Sequence, residues 1–264
     1  MYKRQVQENG GVVQNADVAA YVTGVGAKMA AMTEGNNPSL PWKFTVLNSD
    51  IINAFALPGG QVFISKGLLV RMTNEAQMAG VLGHEIGHVT ARHINDRAWQ
   101  TTLVSGVASV SASVLSEGVG GNIGAMAPKV INFGGETLVL RFSRSQELEA
   151  DSLGMRYMSN AGYNPKAQRQ VMQILEASAG DATQAEWMST HPYPKTRIEQ
   201  IDKLLAGEYA GKAKGNEGLF EAEFRQRALA KLAQGPESET SRYAMMAAVS
   251  RFGSPSGWCA HCRP

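Results

Sequence analysis

His84-Glu85-Ile86-Gly87-His88 is the stretch on which the reading of this 264-residue chain turns. It lies in a segment of helical periodicity, with Met78, Val81, Leu82 and Val89 around it. Residues four apart share one face of a helix, so both imidazoles can reach a single metal ion. The carboxylate next to the first histidine then stands beside the ion rather than on it. From there it can take the proton of an attacking water. Upstream, Thr73-Asn74-Glu75-Ala76-Gln77 reads as a capped helix start, with Asn74 as cap and Gln77 three residues on. The pattern predicts a helix running from there toward Ala98.

A metal site of this type needs a further ligand from another helix. The candidate is Ser143-Arg144-Ser145-Gln146-Glu147-Leu148-Glu149-Ala150-Asp151, some sixty residues downstream. Glu147 and Asp151 are four apart and face the same way, whereas Glu149 points to nearly the opposite side. An acidic run is ordinarily a solvated helix face. Behind an H-E-x-x-H helix it reads instead as the rest of the site, Glu147 on the metal and Asp151 holding the far nitrogen of His84. His93, five after His88, is expected to turn about 140° away from the metal face and to be structural. Arg144 is expected to serve structure rather than catalysis.

Around these helices the chain reads as α+β, mostly helical, with a small antiparallel or mixed sheet. Val18, Tyr21, Val22, Val25, Met29 and Met32 follow the helical period behind Asn15 as cap. Trp42 to Leu47, Ile51 to Leu57 and Gln61 to Ser65 are rich in β-formers and suggest a meander, with Pro58-Gly59-Gly60 as a turn. Further helices are expected from Arg144 to Met158, from Pro165 to about Ala179, and from Pro194 to Gly207. Residues 217–233 form an amphipathic candidate. The organisation expected is a domain over 1–208, then a helical extension and tail over 209–264.

Composition excludes some partners. The net charge of +2 gives no reason to expect nucleic acid, and no run of about 18 strongly apolar residues marks a membrane span. Residues 100–128 are low in charge and rich in Ala, Ser, Gly and Val, which fits a second helix with a glycine-rich mobile loop, or a peripheral membrane contact. The start, Met1-Tyr2-Lys3-Arg4-Gln5, lacks an apolar signal segment. Two readings follow, a cytoplasmic protein or a mature segment whose signal is not in this sequence. Twelve methionines and many Ala, Gly and Ser residues suggest helices in close contact. The two cysteines, Cys259 and Cys262, make one C-x-x-C in a Gly/Ser/Pro tail, too few ligands for a structural zinc site.

Taken together, His84-Glu85-x-x-His88, Ser143-Arg144-x-x-Glu147-x-x-Ala150-Asp151 and Thr190-His191-Pro192 with Arg197 resemble the HtpX/BepA/CAAX-prenyl-protease family of gluzincin metallopeptidases. The likeness is greatest to its soluble bacterial envelope members and covers roughly residues 15–206. Asn53-Ala54-Phe55-Ala56-Leu57-Pro58-Gly59-Gly60 matches the family's strand and turn before the zinc helix. The resemblance implies one Zn2+ per chain and a location in the periplasm or cell envelope. It also implies that Asn53, Ala54, Phe55 and Ala56 form an edge strand that binds an extended substrate backbone by strand addition. The membrane spans and tandem helical repeats of some relatives have no counterpart here.

The expected function is a zinc endopeptidase acting on unfolded or extended polypeptides, with His84, His88 and Glu147 as ligands and Glu85 as general base. The alternative is a latent protease acting mainly as a holdase for envelope proteins. His191 carries two readings. It donates a hydrogen bond to the oxyanion, or it fills the fourth metal position and keeps the enzyme latent; the second is favoured, with Arg197 steadying its loop.

Overall fold

The computed structural model describes residues 2–33, 40–96, 130–133, 136–139, 141–178, 187, 190–192 and 194–234, with the backbone alone at 130–133 and 136–139. The 100–128 segment and the Cys259/Cys262 tail lie outside them.

Several helices begin where a side chain satisfies one of their first free amides. Helix α1 spans Tyr2–Glu8. Helix α2, Ala16–Ala30, starts at Asn15, whose side chain accepts from the Val18 amide. After the short α3, Lys66–Leu69, comes α4, Glu75–Thr90, which carries the H-E-x-x-H residues. Asn74 accepts from the Gln77 amide at 2.9 Å, and the Gln77 side chain reaches back to the Thr73 amide at 2.7 Å. Helix α5, Arg144–Asn160, opens with a full capping box between Ser143 and Gln146. Helices α6, Lys166–Ala177, and α7, Pro194–Ala206, follow.

The meander expectation fails in one respect. Strands β1 (Lys43–Leu47), β2 (Ala54–Leu57) and β3 (Gln61–Ser65) form a mixed sheet in the order β1-β3-β2. β1 runs parallel to β3, and β2 antiparallel to it. Residues 48–53 carry the chain past the place where β3 will lie, so β2 pairs on its far side. β2 is therefore an outer strand, and it starts at Ala54 rather than Ile51. A second, unanticipated hairpin pairs β4 (Val130–Phe133) with β5 (Glu136–Val139).

Helix α4 is the centre of the molecule. Every residue from Ala76 to His88 is buried, because α2, the sheet, α5 and α6 each cover part of its circumference. The helix expected over 217–233 is present over 221–233, as α8 (Glu221–Phe224), a π-helical turn (Arg225–Leu229) and α9 (Ala230–Ala233) in unbroken succession. These turns pack against α2, and Leu219, Phe224 and Ala228 join the main core. No helix among the described residues is long and apolar enough to cross a membrane.

Candidate metal centre

Helices α4 and α5 meet through small residues, and that closeness builds the centre. A Cβ on Gly154 would lie 2.9 Å from the His84 amide nitrogen, and one on Gly87 would lie 3.0 Å from the Ala150 carbonyl oxygen. Helix backbones this near to one another leave His84 and His88 directly opposite Glu147 and Asp151. The expectation of small residues at close helix contacts holds at this crossing.

The ligand atoms of His84, His88, Glu147 and His191 all lie within 4.8 Å of one another, and all four residues are buried. The Nε2 atoms of His84 and His88 are 3.1 Å apart. Glu147 lies 3.6 Å from the first and 3.5 Å from the second. His191 Nδ1 is 3.1 Å from Glu147 Oε1 and 3.3 Å from His84 Nε2.

The donors fit a metal ion. Asp151 Oδ1 is 2.9 Å from His84 Nδ1, and an ionised carboxylate can only accept, so the His84 proton sits on Nδ1. That leaves a bare Nε2 facing a second imidazole nitrogen and a carboxylate oxygen. A cation resolves such a convergence, and a set of imidazole nitrogens plus one carboxylate suits zinc. Glu85 is not among these ligands. Its Oε1 lies 3.5 Å from His191 Nε2, next to the cluster.

Arg197 ties the acidic helix together. Its Nε and Nη2 donate to Asp151 Oδ2 and Oδ1 at 2.7 Å each, while Nη1 lies 2.8 Å from Glu147 Oε2. Gln168 adds a further donor to Asp151 at 3.0 Å. Burial alone would raise the pKa of Asp151, but Arg197 and His84 outweigh it and hold the carboxyl ionised. Glu147 is likewise held well below the usual carboxylate range by His191 and Arg197 against its burial. Burial keeps His88 neutral and raises Glu85, which His191 and His84 only partly offset. His191 is raised, since Glu147 and Glu85 more than compensate for its burial.

His93 departs from expectation. Helix α4 ends at Thr90 and Arg92 takes a left-handed φ of 61°, so His93 turns back instead of continuing around the helix. Its Nδ1 comes to 3.1 Å from His88 Nδ1, and its Nε2 to 3.3 Å from Glu149 Oε2. Glu149 faces outward as expected, with 59% side-chain exposure, yet still ends this chain of contacts.

Two aromatic residues were missed by sequence reasoning. Phe142 stacks on His88 with ring centroids 3.8 Å apart, and Trp187 stacks on His191 at 4.3 Å. Trp187 lies one helical turn before His191 and accepts its amide proton at 2.8 Å, a spacing that could have flagged it. Phe142 directly precedes the Ser143 cap. Gln168 carried no signal in the sequence. Of the strand residues, Asn53 lies just before β2, while Ala54, Phe55 and Ala56 lie within it; all are buried.

Comparison with known proteins agrees with this geometry. The chain is 36% identical over 167 residues to "Mitochondrial metalloendopeptidase OMA1" of Schizosaccharomyces pombe, covering 63% of this chain and 47% of that protein. It is 28% identical over 206 residues to "Beta-barrel assembly-enhancing protease" of Escherichia coli (strain K12), covering 75% and 41%. "Metalloendopeptidase OMA1, mitochondrial" of Homo sapiens is 30% identical over 169 residues, covering 62% and 32%. The chain thus spans less than half the length of these relatives. Residues 16–205 match peptidase family M48, and the chain belongs to that family.

Proposed function

We propose that this chain is a zinc-dependent endopeptidase that cuts unfolded or extended polypeptides in envelope protein quality control. The observation that carries the reading is the buried convergence of His84, His88 and Glu147 with Glu85 beside them. His84, His88 and Glu147 would hold the zinc. Zinc bound there would supply Lewis acidity, polarising the scissile carbonyl and lowering the pKa of water. Glu85 takes the proton of the attacking water at its carboxylate and delivers it to the departing amine. Its burial suits that role, because a raised pKa makes the carboxylate a stronger base. Asp151 orients His84, and Arg197 and Gln168 hold Asp151 in place.

β2 is the outer strand of its three-stranded sheet, and strand addition there would pair backbone with backbone of an extended substrate. The envelope setting is proposed on the longer alignment to the beta-barrel assembly-enhancing protease, 75% of the chain, although identity to the mitochondrial relative of Schizosaccharomyces pombe is higher, 36% against 28%. Residues 1–208 then form the protease unit and 209–264 its extension.

The test is cleavage of unfolded casein by the purified protein. Activity should disappear with a chelator and return with stoichiometric zinc. Zinc-loaded protein that captures casein but never cuts it would favour the holdase instead.

His191 sits where a fourth ligand would, with Nδ1 among the other ligand atoms. We read this arrangement as a latent state in which His191 occupies the position that water needs. Substrate then enters only when the turn carrying Trp187 and His191 swings away. His191→Ala is expected to raise casein cleavage, whereas the oxyanion role requires a fall in turnover; an unchanged rate would remove both readings.

A further inference from the structure

We propose that His93 is a positioning residue for His88, accepting the His88 Nδ1 proton and being fixed in turn by Glu149. The proposal rests on the reading above that His88 holds the metal.

Proton bookkeeping gives the contacts a direction. Glu149 can only accept when ionised, so the 3.3 Å contact places a proton on His93 Nε2. A neutral His93 then has a bare Nδ1, which lies 3.1 Å from His88 Nδ1. The hydrogen in that contact must come from His88. His88 is thereby fixed as the Nδ1–H tautomer, with its Nε2 lone pair turned toward His84 and Glu147. The sequence of donors runs from His88 to His93 to Glu149.

The same device serves the other histidine in a different form. His84 Nδ1 is held by Asp151 at 2.9 Å, and His84 likewise presents Nε2 to the cluster. Both imidazoles are therefore oriented from behind, one by a carboxylate and one by a neutral ring. Phe142 stacked on the face of His88 leaves the ring edge for His93. His93 is itself 3% exposed, so water does not compete freely for its nitrogens. The turn that delivers it, with Arg92 at φ 61°, is a conformation that non-glycine residues adopt only a few per cent of the time.

The experiment measures zinc affinity by competition with a chromophoric chelator. His93→Phe keeps a ring but removes both nitrogens, and is expected to weaken zinc binding by about 10–100-fold. His93→Asn places an acceptor near the lost Nδ1 and should recover most of that affinity. The d–d spectrum of the cobalt-substituted protein should shift in His93→Phe and return toward wild type in His93→Asn. Wild-type affinity in His93→Phe, or equal weakness in the two variants, would overturn the proposal. Should His93→Phe not fold, the zinc-loaded wild-type protein decides through its imidazole nitrogen-15 spectrum. His93 is expected to carry its proton on Nε2 alone and His88 on Nδ1 alone; a proton on His93 Nδ1 would overturn the assignment. His88→Ala separates the two layers of inference. If it retains zinc, the metal-site reading fails. If it loses zinc while His93→Phe binds normally, only the role of His93 fails.

Discussion

Glu85→Gln is expected to bind zinc as the wild-type protein does and to lose about 10²–10⁴-fold in peptidase rate. The amide matches the carboxylate in size, so the buried pocket beside His191 stays filled. None of the clustered ligand atoms belongs to Glu85, so the metal loses no donor. What disappears is the carboxylate proposed to accept a proton from water and hand it on. The comparison must be made on protein of verified metal content, since loss of zinc would imitate loss of the base.

Stability offers a second control. Burial raises the pKa of Glu85 above that of the unfolded chain. An acid shifted in that direction costs stability above its unfolded pKa, where the folded protein must either bury a charge or take up a proton. The amide carries no such cost, so the variant should melt no lower than wild type at neutral pH. Wild-type cleavage by metal-loaded Glu85→Gln would refute the general-base assignment.

The sequence carried the centre further than it carried the surroundings. Caps at Asn15, Asn74 and Ser143 are local chemistry, and the helices start where those side chains dictate. The pairing of Glu147 with Asp151 followed from helical phase alone, because one turn of helix is a rigid spacer. His93 stays outside the ligand group as expected, and phase explains why its contact with His88 was not foreseen. Rotation by 100° per residue holds only while the helix lasts, and nothing in Thr90-Ala91-Arg92 announced a left-handed residue. Strand order failed for another reason. Alternation and turn residues identify strands, but the choice between a meander and β1-β3-β2 depends on where residues 48–53 cross. Phe142, Gln168 and Trp187 reach the centre through tertiary packing, to which a single sequence gives little access.

Arg197→Met should lower the stability of the metal-free protein by about 3–5 kcal/mol in a denaturant titration. One guanidinium reaches two carboxylates that lie a single helical turn apart, forking to both oxygens of Asp151 and touching Glu147 with its remaining nitrogen. All three groups are at most 1% exposed, so water cannot take over when the arginine is removed. Asp151 would keep Gln168 and His84 as donors and Glu147 would keep His191, but the two carboxylates would face each other without the cation that bridges them. Arg197→Lys retains the positive charge without the planar fork and should fall between the two. A metal ion would neutralise part of the same acidic pair, so zinc should narrow the gap between Arg197→Met and wild type. Added salt should hardly change it, because a buried contact is little screened. A loss below about 1 kcal/mol, the range of exposed ion pairs, would show that Arg197 merely accompanies the acidic helix. A gap that zinc leaves untouched would show that Arg197 stabilises the fold without sharing in the charge balance of the metal site.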